Sequence, residues 1–170
     1  MIWFINIEII DFIMDNKESL KKIEEECRKA DLPLKATATN LVFGKGNPNA
    51  EIMFIGEAPG KNEAATGKPF CGASGKVLTE LIESIGLQRQ DVYITNIVKD
   101  RPPNNRDPLD EEIKIYAPFL DRQIDAIQPE VIATLGRYSM AYIMNKFGLF
   151  SELKSISQIH GKAFETKALY

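Results

Sequence analysis

The run Ile52-Met-Phe-Ile55, stopped at once by Gly56-Glu57-Ala58-Pro59-Gly60, constrains the fold of this chain more than any other stretch. Apolar residues in succession, bounded by turn formers, read as a strand buried on both faces; Gly56 permits the turn and Pro59 cannot continue a sheet. A glycine-rich segment follows, Thr66-Gly-Lys-Pro-Phe70-Cys71-Gly72-Ala-Ser-Gly75, and then Val77, Leu78, Leu81, Ile82 and Ile85 at helical spacing. A ligand of an open α/β sheet binds beyond the carboxyl ends of the strands. Glu57, Phe70 and the free amides around them are therefore expected at the mouth of a site.

Around that unit the pattern repeats. Residues 15–29 space Leu20, Ile23 and Cys27 as one stripe among alternating acids and lysines, an amphipathic helix. Residues 30–48, with Pro33, Gly44, Gly46 and Pro48, read as an extended crossing loop. Strands are expected over 51–55, 91–98 and 130–135, and helices over 74–85 and 137–146. Gly86 punctuates the first of these helices, and Tyr138, Ala141, Tyr142 and Met144 supply apolar side chains to the second. A further helix, capped by Asp110, runs to 127 with Ile113, Phe119, Leu120, Ile124 and Ile127 inward and a kink at Pro118. Beyond Gly148 the chain reads as irregular until 161–166, which looks like the opening of another strand. The β-α-β-α-β-α order predicts an α/β fold in three layers, α/β/α, around a central, mainly parallel sheet of about four strands.

With 170 residues and 44% hydrophobic content, one core and one domain over 15–170 are the economical reading. The net charge of -3 restricts any nucleic-acid contact to a local basic patch. Cys27 and Cys71 stand far apart and no secretory signal is evident, so a reducing, cytoplasmic setting is expected. Residues 1–14 form an apolar extension too short to span a bilayer and interrupted by Glu8 and Asp11, with Met14 an alternative start. No membrane partner is expected.

Several blocks resemble, in order, the family-4 uracil-DNA glycosylases, iron-sulfur base-excision enzymes of bacteria and archaea. They are Asn40-Leu-Val-Phe-Gly-Lys-Gly-Asn-Pro48, Gly-Glu-Ala-Pro-Gly from Gly56, Gly-Lys-Pro-Phe-Cys-Gly-Ala-Ser-Gly from Gly67, Thr95-Asn96-Ile-Val-Lys, Arg101-Pro-Pro-Asn-Asn-Arg106-Asp-Pro, and residues 129–136. The resemblance runs from about Cys27 to Glu165. It implies a hydrolase of DNA repair that excises uracil from DNA as a monomer, with a sliding clamp or another repair factor as a candidate partner.

Such an enzyme must rotate the nucleotide out of the duplex into a pocket. The resemblance gives Phe70 the stacking face and Asn96 the amide that reads uracil O4 and N3–H, a mismatch for cytosine. Glu57 becomes the partner of the attacking water, Gly56 and Ala58 cup the base through their amides, and Glu63 orders the loop or touches the base. Arg101, Arg106 and Arg137 become candidates for DNA phosphates. The plainer readings are a solvated acid at Glu57, core packing at Phe70, a turn cap at Asn96 and solvated charges at the arginines. Lone His160 is expected at the surface.

Two departures from the family stand out. Its cluster uses four cysteines, and here those places hold Cys27, Ala30, Asp100 and Tyr116, so no metal and no cofactor is expected, with Tyr116 filling the space. Cys71 lies outside that ligand set and is expected to be a small buried hydrophobe. The family's His-Pro segment, whose histidine stabilises the uracil anion, does not occur here, which suggests a C-terminal truncation. The alternative to an enzyme is therefore a weakly active or non-catalytic uracil- or DNA-binding module. A phosphate-binding P-loop is disfavoured because no Gly-Lys-Ser/Thr ending is present.

Overall fold

Three parallel strands set the architecture of the computed structural model, which describes residues 15–37 and 39–166. The central one, β2 (Ile52–Gly56), lies between β3 (Tyr93–Asn96) and β4 (Val131–Thr134), with Phe54 opposite Ile94 on one side and Ala133 on the other. A two-residue strand, β1 (Lys45–Gly46), pairs antiparallel with the outer side of β3, giving the order β1-β3-β2-β4. The register sets Gly56 directly opposite Asn96, so β2 and β3 end level and their following loops share one rim.

Strand alternation divides the apolar side chains between two faces. Met53 and Ile55 join Leu20, Ile23 and Cys27 of α1 (Asn16–Lys29) and Tyr116, Leu120, Ile124 and Ile127 of α4 (Asp110–Ile127) in the larger core. Phe54 and Ile94 turn the other way, against Leu78 and Ile82 of α3 (Ala73–Ser84). Helices thus cover both faces of a mainly parallel sheet, as the element order predicts. A third cluster joins Met140 and Met144 of α5 (Arg137–Lys146) to Ile159 of α6 (Ile156–Ile159). Among the described residues no helix is long and apolar enough to cross a membrane.

The structure corrects several local expectations. The segment read as a crossing loop contains β1 and a 3₁₀ turn over Lys35–Thr37, and a short helix, α2 (Lys61–Thr66), precedes Gly67. Residues 162–166 form no strand; Thr166 Oγ1 instead donates to the carbonyl of Phe147 at 3.1 Å. Leu109, not Asp110, occupies the capping position of α4, and its amide donates to the Glu112 carboxylate at 2.8 Å. Pro118 sits exposed within that helix, where Ile113 and Phe119 are half-buried. On α3 only Leu78 and Ile82 of the five periodic residues are buried, while Val77, Leu81 and Ile85 stay more than half exposed. On α5 the inward side is Ser139, Met140, Ile143 and Met144, with Tyr138, Ala141 and Tyr142 half-buried. The extension over residues 1–14 lies outside the described residues.

A polar knot runs through the larger core. Lys99 is fully buried; its Nζ donates to Thr95 Oγ1 at 2.8 Å, to the Asn96 carbonyl at 2.6 Å and to Gln123 Oε1 at 2.5 Å. Burial pulls its pKa down to about 7. Gln123 Nε2 donates in turn to the Phe43 carbonyl at 3.0 Å and to the Tyr93 hydroxyl at 3.2 Å. Each buried polar group in this chain of contacts has a partner, the condition for keeping such groups out of water. The knot fixes the backbone of Asn96 from below.

Candidate active site

At the level ends of β2 and β3, Gly56 forms the floor of a niche walled by Asn96 and Phe70. A Cβ added at Gly56 would overlap Asn96 Oδ1 and come within 2.6 Å of Phe70 Cζ, so only glycine lets these two side chains close in on the strand end. Asn96 is 2% exposed, and its Oδ1 is, among the described residues, the buried side-chain polar atom that has no hydrogen-bond partner. An unpaired buried acceptor costs about 1–3 kcal/mol. Native structures rarely carry that cost without a use for it.

The ring of Phe70 is held there against a local backbone preference. Phe70 has φ +50°, in the left-handed region that an aromatic residue seldom occupies, which marks a position the surroundings must enforce. Three constraints act on it. Glu63 Oε1 accepts from the amides of Cys71 at 3.0 Å and Gly72 at 3.1 Å. Arg89 Nη2 donates to the carbonyl of Pro69 at 2.9 Å, while its Nη1 reaches Gly75 O at 3.4 Å and Thr79 Oγ1 at 3.3 Å. The third constraint is Gly75, where any side chain would overlap the Phe70 carbonyl. Glu63 therefore orders the loop, and Arg89, which the sequence reading did not single out, does so from the other side. Phe70 itself is half-buried at the edge of the second core.

Glu57 stands one residue beyond the floor, half-buried, with its carboxylate turned to the neighbouring strand end. Its Oε1 accepts from the Tyr138 amide at 3.0 Å, in the first turn of α5, and lies against Gly136. The positive end of that helix favours a negative charge here. The structure thus joins Phe70 and Asn96 at Gly56 and sets Glu57 beside them on the β4 side; Ala58 follows, half-buried.

The three arginines make their observed bonds within and beside the Arg-Pro-Pro loop. Arg106 grips Glu112 with both ends, at 2.5 and 2.8 Å, which holds that carboxyl below its ordinary pKa. Arg137 is paired with Asp107 and stacked over the Tyr138 ring at 4.8 Å. Arg101 Nε donates to Asn105 Oδ1 at 2.6 Å. The Asp107–Arg137 pair ties this loop to the helix that holds Glu57.

Comparison with known proteins decides the family. The model of the uracil DNA glycosylase superfamily matches residues 43–168, three quarters of the chain, including every residue of the niche. The chain belongs to that superfamily. It is 53% identical over 154 residues to the Type-4 uracil-DNA glycosylase of Sulfurisphaera tokodaii, an alignment that covers 88% of this chain and 68% of that one. The Type-4 enzyme of Archaeoglobus fulgidus is 52% identical, with 88% and 75% covered, and that of Thermotoga maritima 39% identical, with 88% and 76% covered.

In this uracil-DNA glycosylase superfamily member, the four places that the resemblance assigns to cluster cysteines do not form a ligand shell. Cys27 is fully buried, and burial pushes its thiol up to about 11, away from the thiolate that iron requires. Ala30 offers no donor atom. Asp100, whose pKa burial also raises, already accepts the Tyr116 hydroxyl at 2.7 Å, with both residues buried. Among the described residues no group of three or more His, Cys, Asp or Glu side chains could hold a metal ion. One protonated thiol, a methyl group, a bonded carboxyl and a phenol do not fit an iron-sulfur cluster. Removing the phenol hydroxyl should show what replaces it: Tyr116→Phe is expected to lower the free energy of unfolding by about 1–3 kcal/mol in urea titrations, because Asp100 loses its buried donor.

Cys71 is exposed, not buried as expected, with its Sγ 3.3 Å from Thr66 Oγ1. The bonds from Glu63 to its amide and the next turn that side chain away from the core. His160 is exposed at the end of α6.

Proposed function

We propose that this chain is a uracil-DNA glycosylase that hydrolyses the N-glycosidic bond of an extruded uracil, the first step of base excision repair, acting as a cytoplasmic monomer. The observation that carries the proposal is the unpaired, buried Asn96 Oδ1 held against Gly56 beside the Phe70 ring. Uracil stacked on Phe70 presents N3–H to Oδ1 and O4 to the amide nitrogen. Cytosine presents a lone pair at N3 and an amino group at C4, so acceptor meets acceptor and donor meets donor. In the reaction, the water oxygen forms a bond to C1′ as the C1′–N1 bond breaks. The bonding pair leaves on uracil, and the water proton passes to Glu57. The same carboxylate offsets positive charge on the sugar, while the amide of Ala58 faces the departing anion; that of Gly56 is turned toward β3 with its carbonyl, which accepts from Ile97. No metal or cofactor takes part in this reading, and Arg101, Arg106 and Arg137 are the candidates for the strand's phosphates, which at Arg106 and Arg137 compete with Glu112 and Asp107.

The direct test incubates the protein with a uracil-containing oligonucleotide and looks for an alkali-labile strand at the uracil position. Such product is expected, and it should form with protein that contains no acid-labile sulfide. Binding of that oligonucleotide with no product would instead establish a non-catalytic module. Arg89→Met should raise KM for the oligonucleotide about tenfold, because freeing Pro69 lets Phe70 leave its enforced conformation, a loss worth about 1–3 kcal/mol. An unchanged KM would mean that α3 and Glu63 hold the ring alone.

A further inference from the structure

On the outer side of the Phe70 loop, the structure holds a second concavity that the niche does not use. It is a cleft of about 530 Å³ between β1, the 68–71 loop, the first turns of α3 and the connection into β3. Lys45, Lys68, Lys76 and Arg89 line it, and no carboxylate does. In a chain of net charge -3 with 24 acidic residues, four cations without an acid are a local inversion of the overall balance.

None of these four cations is in an ion pair among the described residues, although Arg28, Arg106, Arg122, Arg137 and Lys146 all are. Arg89 is the telling member. It is half-buried, and its partners are two carbonyls and a hydroxyl, all neutral, so its charge is partly desolvated with no anion to offset it. Pro69, Ile94 and part of Phe70 give the wall an apolar portion, beside the neutral polar side chains of Thr79 and Gln90. A cationic rim over partly apolar walls suits a phosphate with a flat base attached.

We propose that this cleft binds the phosphate and base of a nucleotide adjoining the extruded one, so that a single strand crosses the Phe70 loop from one recess into the other. The proposal rests on the glycosylase reading, because Phe70, which packs against Gly56, also lines the cleft, together with the exposed Lys68 two residues before it. A strand with one base over Gly56 would carry its next phosphate to Lys68 and from there into the field of Lys45, Lys76 and Arg89. That single-stranded path draws its affinity from charge and stacking rather than sequence.

The test measures fluorescence anisotropy of the full chain with a labelled, uracil-free single-stranded oligonucleotide between about 50 and 200 mM salt. The double variant Lys45→Glu/Lys76→Glu is compared with Lys17→Glu/Lys21→Glu, which makes the same charge change on the exposed face of α1. The cleft variant is expected to bind at least about tenfold more weakly, with a salt slope shallower by about 1.4, the value for two lost phosphate contacts on a single strand. The α1 variant should keep affinity and slope. Equal weakening of both variants, no weakening of either, or no binding by the parent would overturn the proposal. So would dTMP or inorganic phosphate at millimolar concentration displacing the oligonucleotide fully, because a free anion rather than a strand would then be the ligand. Uracil excision is assayed on the same samples. A parent that binds through the cleft but excises nothing would sink the glycosylase reading and leave the cleft standing, and active enzyme with an indifferent cleft would do the reverse.

Discussion

Asn96→Asp is expected to lower the single-turnover rate of uracil excision by about 10²-fold and to narrow the uracil-over-cytosine ratio by at least about tenfold. The substitution keeps the size of the side chain and one oxygen at the unpaired position, so N3–H of uracil keeps its acceptor. The other lobe changes from a donor to an oxygen, which meets uracil O4 lone pair to lone pair. Burial at 2% exposure favours the neutral carboxylic acid, whose O–H can donate to cytosine N3 and thereby admit the wrong base. Any ionised fraction opposes the growth of negative charge on the leaving uracil. The fold should be indifferent, because Lys99 holds position 96 through its backbone carbonyl and not through its side chain. Rates on uracil- and cytosine-containing strands, beside thermal melts, make the measurement. A rate and ratio equal to those of the parent would mean that the amide does not read the base.

That prediction depends on features of unequal legibility in the sequence. The strand end at Gly56 could be read because it closes an apolar run, whereas the next strand, expected to reach 98, stops at Asn96, and parallel pairing brings the two ends to one rim. Helix α1 could be read from Leu20, Ile23 and Cys27 because periodicity survives any tertiary context that buries one face. On α3 the same rule marks five apolar residues, of which packing buries two, since a periodic stripe shows what can be buried and not how wide its partner is. Strand β1 is too short to have a period, and α2, with the sequence Lys-Asn-Glu-Ala-Ala-Thr, has no apolar stripe to betray it.

The supports of the niche were the hardest to see. Arg89 acts on a carbonyl twenty positions away, and Gln123 on one eighty positions away; neither residue type carries a signal for such a bond before the chain is folded. The same holds for Lys99, a residue whose burial is explicable only once three acceptors are found around it. Arg101, Arg106 and Arg137 stood out as exposed positive charge, yet Asn105, Glu112 and Asp107 are the groups they meet. Local chemistry marked Gly56, Phe70 and Asn96, which the structure brings together, while the contacts that hold them are long-range.

The largest loss should come from Glu57→Gln, which is expected to reduce the rate of uracil excision by about 10²–10³-fold while leaving DNA binding within about threefold of the parent. Glutamine keeps an oxygen where Oε1 accepts the Tyr138 amide, so the side chain stays in place and the β4–α5 turn is undisturbed. What it loses is the charge, and with it both the capacity to take a proton from water and the field that offsets a cationic sugar. The cost to stability is the attraction between a carboxylate and the start of α5, about 0.3–1 kcal/mol, small enough for melting curves to exclude unfolding as the cause of inactivity. Glu57→Asp supplies the complement: the charge remains, but a side chain shorter by one methylene cannot both meet the Tyr138 amide and keep the carboxylate where it was. Its rate should fall between those of the parent and the glutamine variant. Were glutamine to excise uracil at the parent's rate, the carboxylate would have no part in the hydrolysis, and its bond to Tyr138 would be a structural tie alone.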